Sequence, residues 1–126
     1  MRVRAAILLV GVFTACAPAA RGPRSPEFGS QGVVFRLRAP AARLVQVSGS
    51  WDVNFALRGR DWTRFTRVGR MQDDDRDGVW ECTVTLGPGR YEYSFWVDGR
   101  FWEVDPQNPE RAPDGRGGVV SLLVVP

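Results

Sequence analysis

Short stretches in which apolar and polar residues alternate constrain the fold of this chain more than any other feature. In 80–86, Trp80, Cys82, Val84 and Leu86 share an apolar face, while the residues that alternate with them are polar. The same alternation occurs in 33–38 and in 91–97. Alternation of this kind is typical of β-strands with one buried face. Since no window of ten or more residues has helical periodicity, the pattern predicts an all-β chain.

Turn residues separate these stretches. Gly87-Pro88-Gly89 predicts a tight turn, and Asp98-Gly99 is a strong hairpin signal. A short return strand is expected over 101–104, and the apolar run 119–125 predicts a buried closing strand. A further strand is expected at 44–48. Many short strands with close turn signals indicate an antiparallel β-sandwich.

The first fifteen residues have the layout of a secretory signal peptide. Two arginines precede the apolar run 5–13, which is too short to span a bilayer. The end of this run, 13–16 (FTAC), resembles the lipobox of bacterial lipoproteins, with Phe where that pattern usually has Leu. The resemblance implies lipidation of Cys16 and, with Ala17 next, an outer-membrane lipoprotein of the cell envelope. Cleavage at an A-x-A site, giving a secreted or periplasmic protein, is the alternative.

The residues after Cys16 predict a tether. They are rich in Pro, Gly and Ser and show little apolar periodicity. We therefore expect a signal peptide over 1–15, a lipidated tether over 16–31 and one β-sandwich domain over 32–126. A domain of roughly 95 residues is a normal size for this architecture.

Composition excludes several classes of function. The 126 residues include no His and no Lys, so His-dependent triads and Schiff-base chemistry cannot occur. The two Cys residues are too few for a Cys₄ zinc site. The formal net charge is +3, and removal of the signal peptide leaves 15 Arg against 14 acidic residues, or +1. This small excess argues against a nucleic-acid partner. We expect no cofactor, no metal and no intrachain disulfide.

One acidic segment fits the start of a calcium loop. Residues 73–78 (DDDRDG) match D-x-D-x-D-G, but the bidentate acid of such a loop would fall at Val84. Helical flanks are also missing from the pattern. We therefore interpret this segment as a solvated hairpin turn.

Several motifs together carry a resemblance to a known family. They are 45–51 (VQVSGSW), 78–81 (GVWE), 86–93 (LGPGRYEY), 95–99 (FWVDG), and Trp102 followed by Asp105-Pro106. In order and nearly in spacing they resemble carbohydrate-binding module family 48, the glycogen-binding domain type of the AMP-activated kinase β-subunit, branching enzymes and isoamylases. The resemblance covers 33–125. It implies an immunoglobulin-like β-sandwich that binds glycans without catalysis.

The resemblance also implies where sugar contacts should lie. The family uses two exposed Trp residues, a strand Lys and a loop Asn. Trp102 matches the Trp that follows the Asp-Gly turn, whereas Ser94 and Val120 stand at the Lys and Asn positions. The first family Trp has no counterpart, and Phe55 or Trp62 is the candidate substitute.

Stacking on aromatic faces is the physical basis of these contacts, because the C–H face of glucose packs on a large, rigid ring. Trp96 shares the face of Ser94 and is expected to be exposed as a replacement platform. The candidate carbohydrate contacts are Trp102, Trp96, Ser94, Phe55, Trp62 and Arg100. Trp51, Trp80 and Cys82 are expected in the core.

Two functions remain open. The first is a non-catalytic module for an α-glucan or related glycan, attached to the membrane only through its lipid. The alternative is a protein-interaction or assembly domain that binds an envelope protein and has lost the sugar site. Asp98, Glu103 and Asp105 could in principle form an acid/base pair, but a small sandwich offers little cleft, so we expect no enzyme.

Overall fold

The computed structural model describes residues 23–52, 55 and 69–126. The predicted signal peptide, Cys16 and Trp62 lie outside these residues. The strands are β1 (Glu27–Gly29), β2 (Gly32–Arg38), β3 (Val45–Gly49), β4 (Val79–Val84), β5 (Gly89–Val97), β6 (Phe101–Glu103), β7 (Arg111–Pro113) and β8 (Val119–Val125). No helix within the described ranges is long and apolar enough to cross a membrane.

The strands form two antiparallel sheets. The smaller sheet has the order β1-β2-β4, and the larger one has the order β3-β5-β8-β7, with β6 paired to β5. The inward face of each sheet carries the apolar residues of the period-two pattern, so the two sheets share one core. This arrangement confirms the predicted antiparallel β-sandwich.

Aromatic side chains fill the middle of the core. Phe35 of β2 and Tyr93 of β5 are fully buried, and their ring centroids lie 4.8 Å apart in an edge-on arrangement. Trp51 and Trp80 are partly buried and pack against this core, as expected. Cys82, a free cysteine, also packs against the core, and burial raises the pKa of its thiol.

The end of the expected tether belongs to the sandwich instead. Glu27–Gly29 pairs with β2 as strand β1, and Ser25 is buried. The prediction of a tether up to residue 31 is therefore wrong for 25–29. The physical reason is a long-range contact, since the Ser25 hydroxyl donates to Asp105 Oδ2 at 2.5 Å and accepts from the Arg36 amide at 3.0 Å.

Asp105 is the centre of a buried polar network that fixes the loop before β7. The Tyr93 hydroxyl donates to Asp105 Oδ2 at 2.8 Å, and the Asp105 amide donates to Ser121 Oγ at 2.7 Å. Asn108 Nδ2 donates to the Tyr93 hydroxyl at 3.0 Å. Burial raises the pKa of both Asp105 and Tyr93. Because Asp105 is fully enclosed, it offers no carboxylate for acid/base chemistry on a substrate.

Candidate functional site

The β5–β6 hairpin carries the candidate site. Asp98 and Gly99 both have positive φ, at 53° and 66°, which is the backbone of the type I′ turn that the Asp-Gly pair predicts. The turn places Trp96 directly opposite Trp102 in the β5–β6 register. Both indoles lie on the outer face of the larger sheet, since Phe95 and Val97 face the core.

The two indoles pack against each other across the strands. Their ring centroids are 4.6 Å apart with an interplanar angle of 38°. Trp96 is only 6% exposed, so the expectation that it forms an open platform is wrong. Trp102 contributes to covering it and remains partly exposed itself. Trp102 is therefore the member of the pair that offers surface to a ligand.

Ser94 shares the outer face with Trp96, as the alternation predicted, but it is inaccessible. It lies opposite Ser48 in the β3–β5 register, and both side chains are 2% exposed. Gln46, on the same face, is buried as well. These three polar side chains are all covered. The expectation that Ser94 contacts a sugar directly is therefore wrong.

Phe55 is not an exposed platform either. Its ring is 7% exposed and packs in a small apolar cluster with Ala112 and Val120. These partners belong to β7 and β8, although Phe55 follows β3 in sequence. Burial of this ring on the sheet is favourable because it removes apolar surface from water. Val120, at the family's Asn position, is fully enclosed in the same cluster.

Arg100 lies on the turn, on the other side of the hairpin from Trp102. With Arg43, Leu44 and Phe101 it lines a surface pocket of about 530 Å³. Sequence reasoning missed Phe101, although the alternation within β6 places it on the face opposite Trp102. It missed Arg43 because that residue lies far away in the sequence.

Asp98 joins the hairpin turn to the loop before β3. Its Oδ1 accepts from the Arg43 amide at 2.7 Å and from the Leu44 amide at 2.9 Å. These two bonds, helped by the charges of Arg100 and Arg43, lower the pKa of the Asp98 carboxyl. Its amide in turn donates to the Leu44 carbonyl at 2.8 Å. The carboxylate therefore has a structural role rather than a catalytic one.

The acidic segment 73–78 forms a tight turn before β4. The Gly78 amide donates to Asp73 Oδ2 at 3.1 Å, and ligand oxygens of Asp73, Asp75 and Asp77 lie within 4.8 Å of one another. Val84, at the position of the bidentate acid, packs in the core. The turn thus lacks the acid that a calcium loop of this pattern requires.

A family model described as the glycogen recognition site of AMP-activated protein kinase matches residues 33–126. The chain belongs to this family. The glycogen-recognition family consists of non-catalytic carbohydrate-binding modules with an immunoglobulin-like sandwich. Membership confirms the predicted fold and the expectation that the chain is not an enzyme. No curated protein sequence matches the chain.

Proposed function

We propose that this glycogen-recognition module binds a glycan, with α-glucans such as glycogen as the favoured class, on a surface centred on Trp102. The observation that carries the proposal is the partly exposed Trp102 indole on the outer face of the β5–β6 hairpin. This is where the family resemblance implies a stacking Trp, and the family match over 33–126 supports the class of ligand.

Trp96 supports binding indirectly. It packs behind Trp102 at 4.6 Å between ring centroids, so the Trp102 indole is restrained before a sugar arrives. A restrained ring loses less conformational freedom on binding, which favours affinity. A pyranose would stack its C–H face on Trp102 and direct its hydroxyls toward polar groups at the rim.

We further propose that the module is displayed on the cell envelope through a lipid on Cys16, in the outer membrane of a Gram-negative cell. The support is the signal-peptide layout of 1–15 and the lipobox resemblance of 13–16. A single apolar run of this length does not span a bilayer, so membrane contact would come from the acyl chains alone.

A protein-interaction or assembly role is the second candidate, and burial at the expected sugar contacts favours it. Ser94, Trp96 and Phe55 are all less than 9% exposed, and no Lys occurs in the chain. A module with one accessible stacking residue would bind sugars weakly and could serve an envelope protein instead.

Affinity electrophoresis of the full chain through gels containing glycogen or amylose tests the glycan proposal. We expect the wild type to be retarded and Trp102→Ala to lose about tenfold in affinity, because stacking on the indole is removed. Phe28→Ala is the matched control, since Phe28 is an exposed aromatic residue on β1 of the other sheet.

The outcomes separate the two candidates. Equal retardation of the wild type and Trp102→Ala would show that the glucan does not bind at the Trp102 surface. No retardation in either gel, together with a stable complex with a purified envelope protein, would establish the assembly role. Thermal unfolding of each variant shows that a change in mobility does not reflect loss of the fold.

A further inference from the structure

The pocket beneath the β5–β6 turn is separate from the Trp102 surface. Phe101 opposes Val97 in the register, so its side chain is on the core side of the sheet. Val97 lies at the end of the core, and Phe101 extends beyond it with 58% of its surface exposed. Leu44 and Ala41 form the remaining apolar wall of this pocket of about 530 Å³.

The charged groups of the pocket are two guanidiniums and one carboxylate. Arg43 and Arg100 are exposed, and neither forms an ion pair within 4 Å among the residues that the structure describes. The carboxylate is Asp98, whose Oδ1 is already occupied by two backbone amides. The pocket therefore has a formal excess of one positive charge, and its two guanidiniums are open to solvent.

Backbone hydrogen bonds fix the main chain at both arginines. Arg43 donates its amide to Asp98, and the Arg100 amide donates to the Val97 carbonyl at 3.0 Å to close the turn. Two separate segments thus bring Arg43 and Arg100 to the lining of one pocket. Guanidiniums bind carboxylates and phosphates through paired N–H donors, which neutral sugars cannot match.

We propose that this pocket is a second binding subsite, which takes a pyranose that carries an oxyanion, either a carboxylate or a phosphate. Phe101 and Leu44 contact the apolar face of the ring, and Arg43 and Arg100 bind the anionic group. The assignment of this ligand as a saccharide rests on the proposed function. The anionic part rests on the pocket alone.

Three forms of one oligosaccharide provide the probes. Maltohexaose, the same chain oxidised at C6 to carboxylate, and the same chain phosphorylated at C6 are titrated into the full-length protein by calorimetry. We expect the anionic forms to bind about fivefold more tightly than the neutral form at low salt, as is usual for exposed ion pairs. The preference should disappear at 1 M salt, where the screening length falls to about 3 Å.

The variants assign the preference to this pocket. The double variant Arg43→Gln, Arg100→Gln should lose the anionic preference, so that the three probes bind with equal affinity. Phe101→Ala should weaken the anionic probes, whereas Arg90→Gln, about 25 Å along β5 from the turn, should change nothing. Which anionic form binds better identifies the oxyanion.

The possible failures differ for the two proposals. Equal affinity for all three probes, or an anionic preference that survives the double variant, overturns the second subsite and leaves the Trp102 proposal standing. If the wild type does not bind maltohexaose but still binds the anionic probes, the glucan proposal alone is overturned. An acidic peptide that binds as tightly, with the same sensitivity to Phe101→Ala, overturns the assignment to a saccharide.

Discussion

At the scale of single residues, two aspartates show how the same side chain is held in opposite ways. Asp105 is fully buried, and hydroxyl donors from Ser25 and Tyr93 meet its carboxylate. Asp98 lies on a turn, where two amides meet its carboxylate. Burial dominates at Asp105 and raises its pKa, whereas the amides dominate at Asp98 and lower its pKa.

The raised pKa of Asp105 predicts a specific pH dependence of stability. The folded protein holds this proton more tightly than the unfolded chain, so the contribution of Asp105 to stability falls as pH rises from 3.8 through the raised value. Asp105→Asn removes this effect. We expect the stability advantage of the wild type over Asp105→Asn to shrink with rising pH, measured by urea unfolding between about pH 4 and pH 7. Parallel pH profiles would contradict the assignment.

For Asp98→Asn we expect the opposite pH dependence of stability. The folded pKa lies below 3.8, so the carboxylate stabilises the protein above that value and loses its effect as pH falls through the lowered pKa. Asn tolerates the positive φ of 53° at this position, so the variant tests the charge and not the turn. We expect Asp98→Asn to be less stable than the wild type at neutral pH, with the two curves converging in acid. A deficit independent of pH would indicate a backbone effect instead.

Which residues of the candidate site face outward could be predicted only in part. Alternation placed Ser94 and Trp96 on one face, and the structure agrees. Alternation does not say what covers a face, however, and both side chains are buried. Phe55 likewise carries no local signal for its contacts with Ala112 and Val120, which are distant in the sequence. Burial of this kind depends on tertiary packing, which a single strand pattern does not contain.

At the scale of elements, strong patterns predicted strands and weak ones did not. The apolar run 119–125 is β8 with the expected bounds, and 91–97 lies within β5. Strands β1 and β7 were missed, since each has three residues and β7 ends in Pro113. Strands this short owe their conformation to the neighbour with which they pair, here β2 and β8.

The docking of β1 gives a prediction at this scale. Ser25→Ala removes the hydroxyl that bonds both the buried Asp105 carboxyl and the Arg36 amide, and leaving a buried polar group without its partner costs about 2 kcal/mol. We expect a loss of that size in the free energy of unfolding, measured in urea at neutral pH. Ser30→Ala, at the exposed turn between β1 and β2, is the control and should change stability little.

Removal of the whole segment should have a larger effect. A chain that begins at Gly32 lacks Ser25 and also the pairing of β1 with β2. We therefore expect it to unfold at lower urea concentration than Ser25→Ala. If the shortened chain were as stable as the wild type, β1 and its hydrogen bonds would be irrelevant to the sandwich.

At the scale of the whole molecule, the net charge depends on whether the N-terminal region is cleaved. Cleavage before Cys16 leaves a nearly neutral protein, which fits a glycan or protein partner better than a nucleic acid. The fold class and the absence of catalysis follow from the sequence and from family membership over 33–126. The attachment to the envelope stays a prediction.

Lipid attachment can be tested on the intact protein. In detergent phase separation after expression in a Gram-negative host, we expect the wild type in the detergent phase and Cys16→Ser in the aqueous phase, because the acyl chains supply the apolar anchor. Cys82→Ser is the control and should remain with the detergent, since Cys82 packs at the core. Wild type in the aqueous phase, with an N-terminus after an A-x-A site, would establish secretion instead.

The candidate site lies on only one of the two sheets, and this has a consequence for how the module binds a polymer. Strand β1 belongs to the smaller sheet, whereas Trp102 lies on the outer face of the larger one. In a sandwich the outer faces of the two sheets are opposite surfaces of the molecule. A glycan strand bound along the outer face of the larger sheet, as proposed, therefore leaves the smaller sheet free for a second contact.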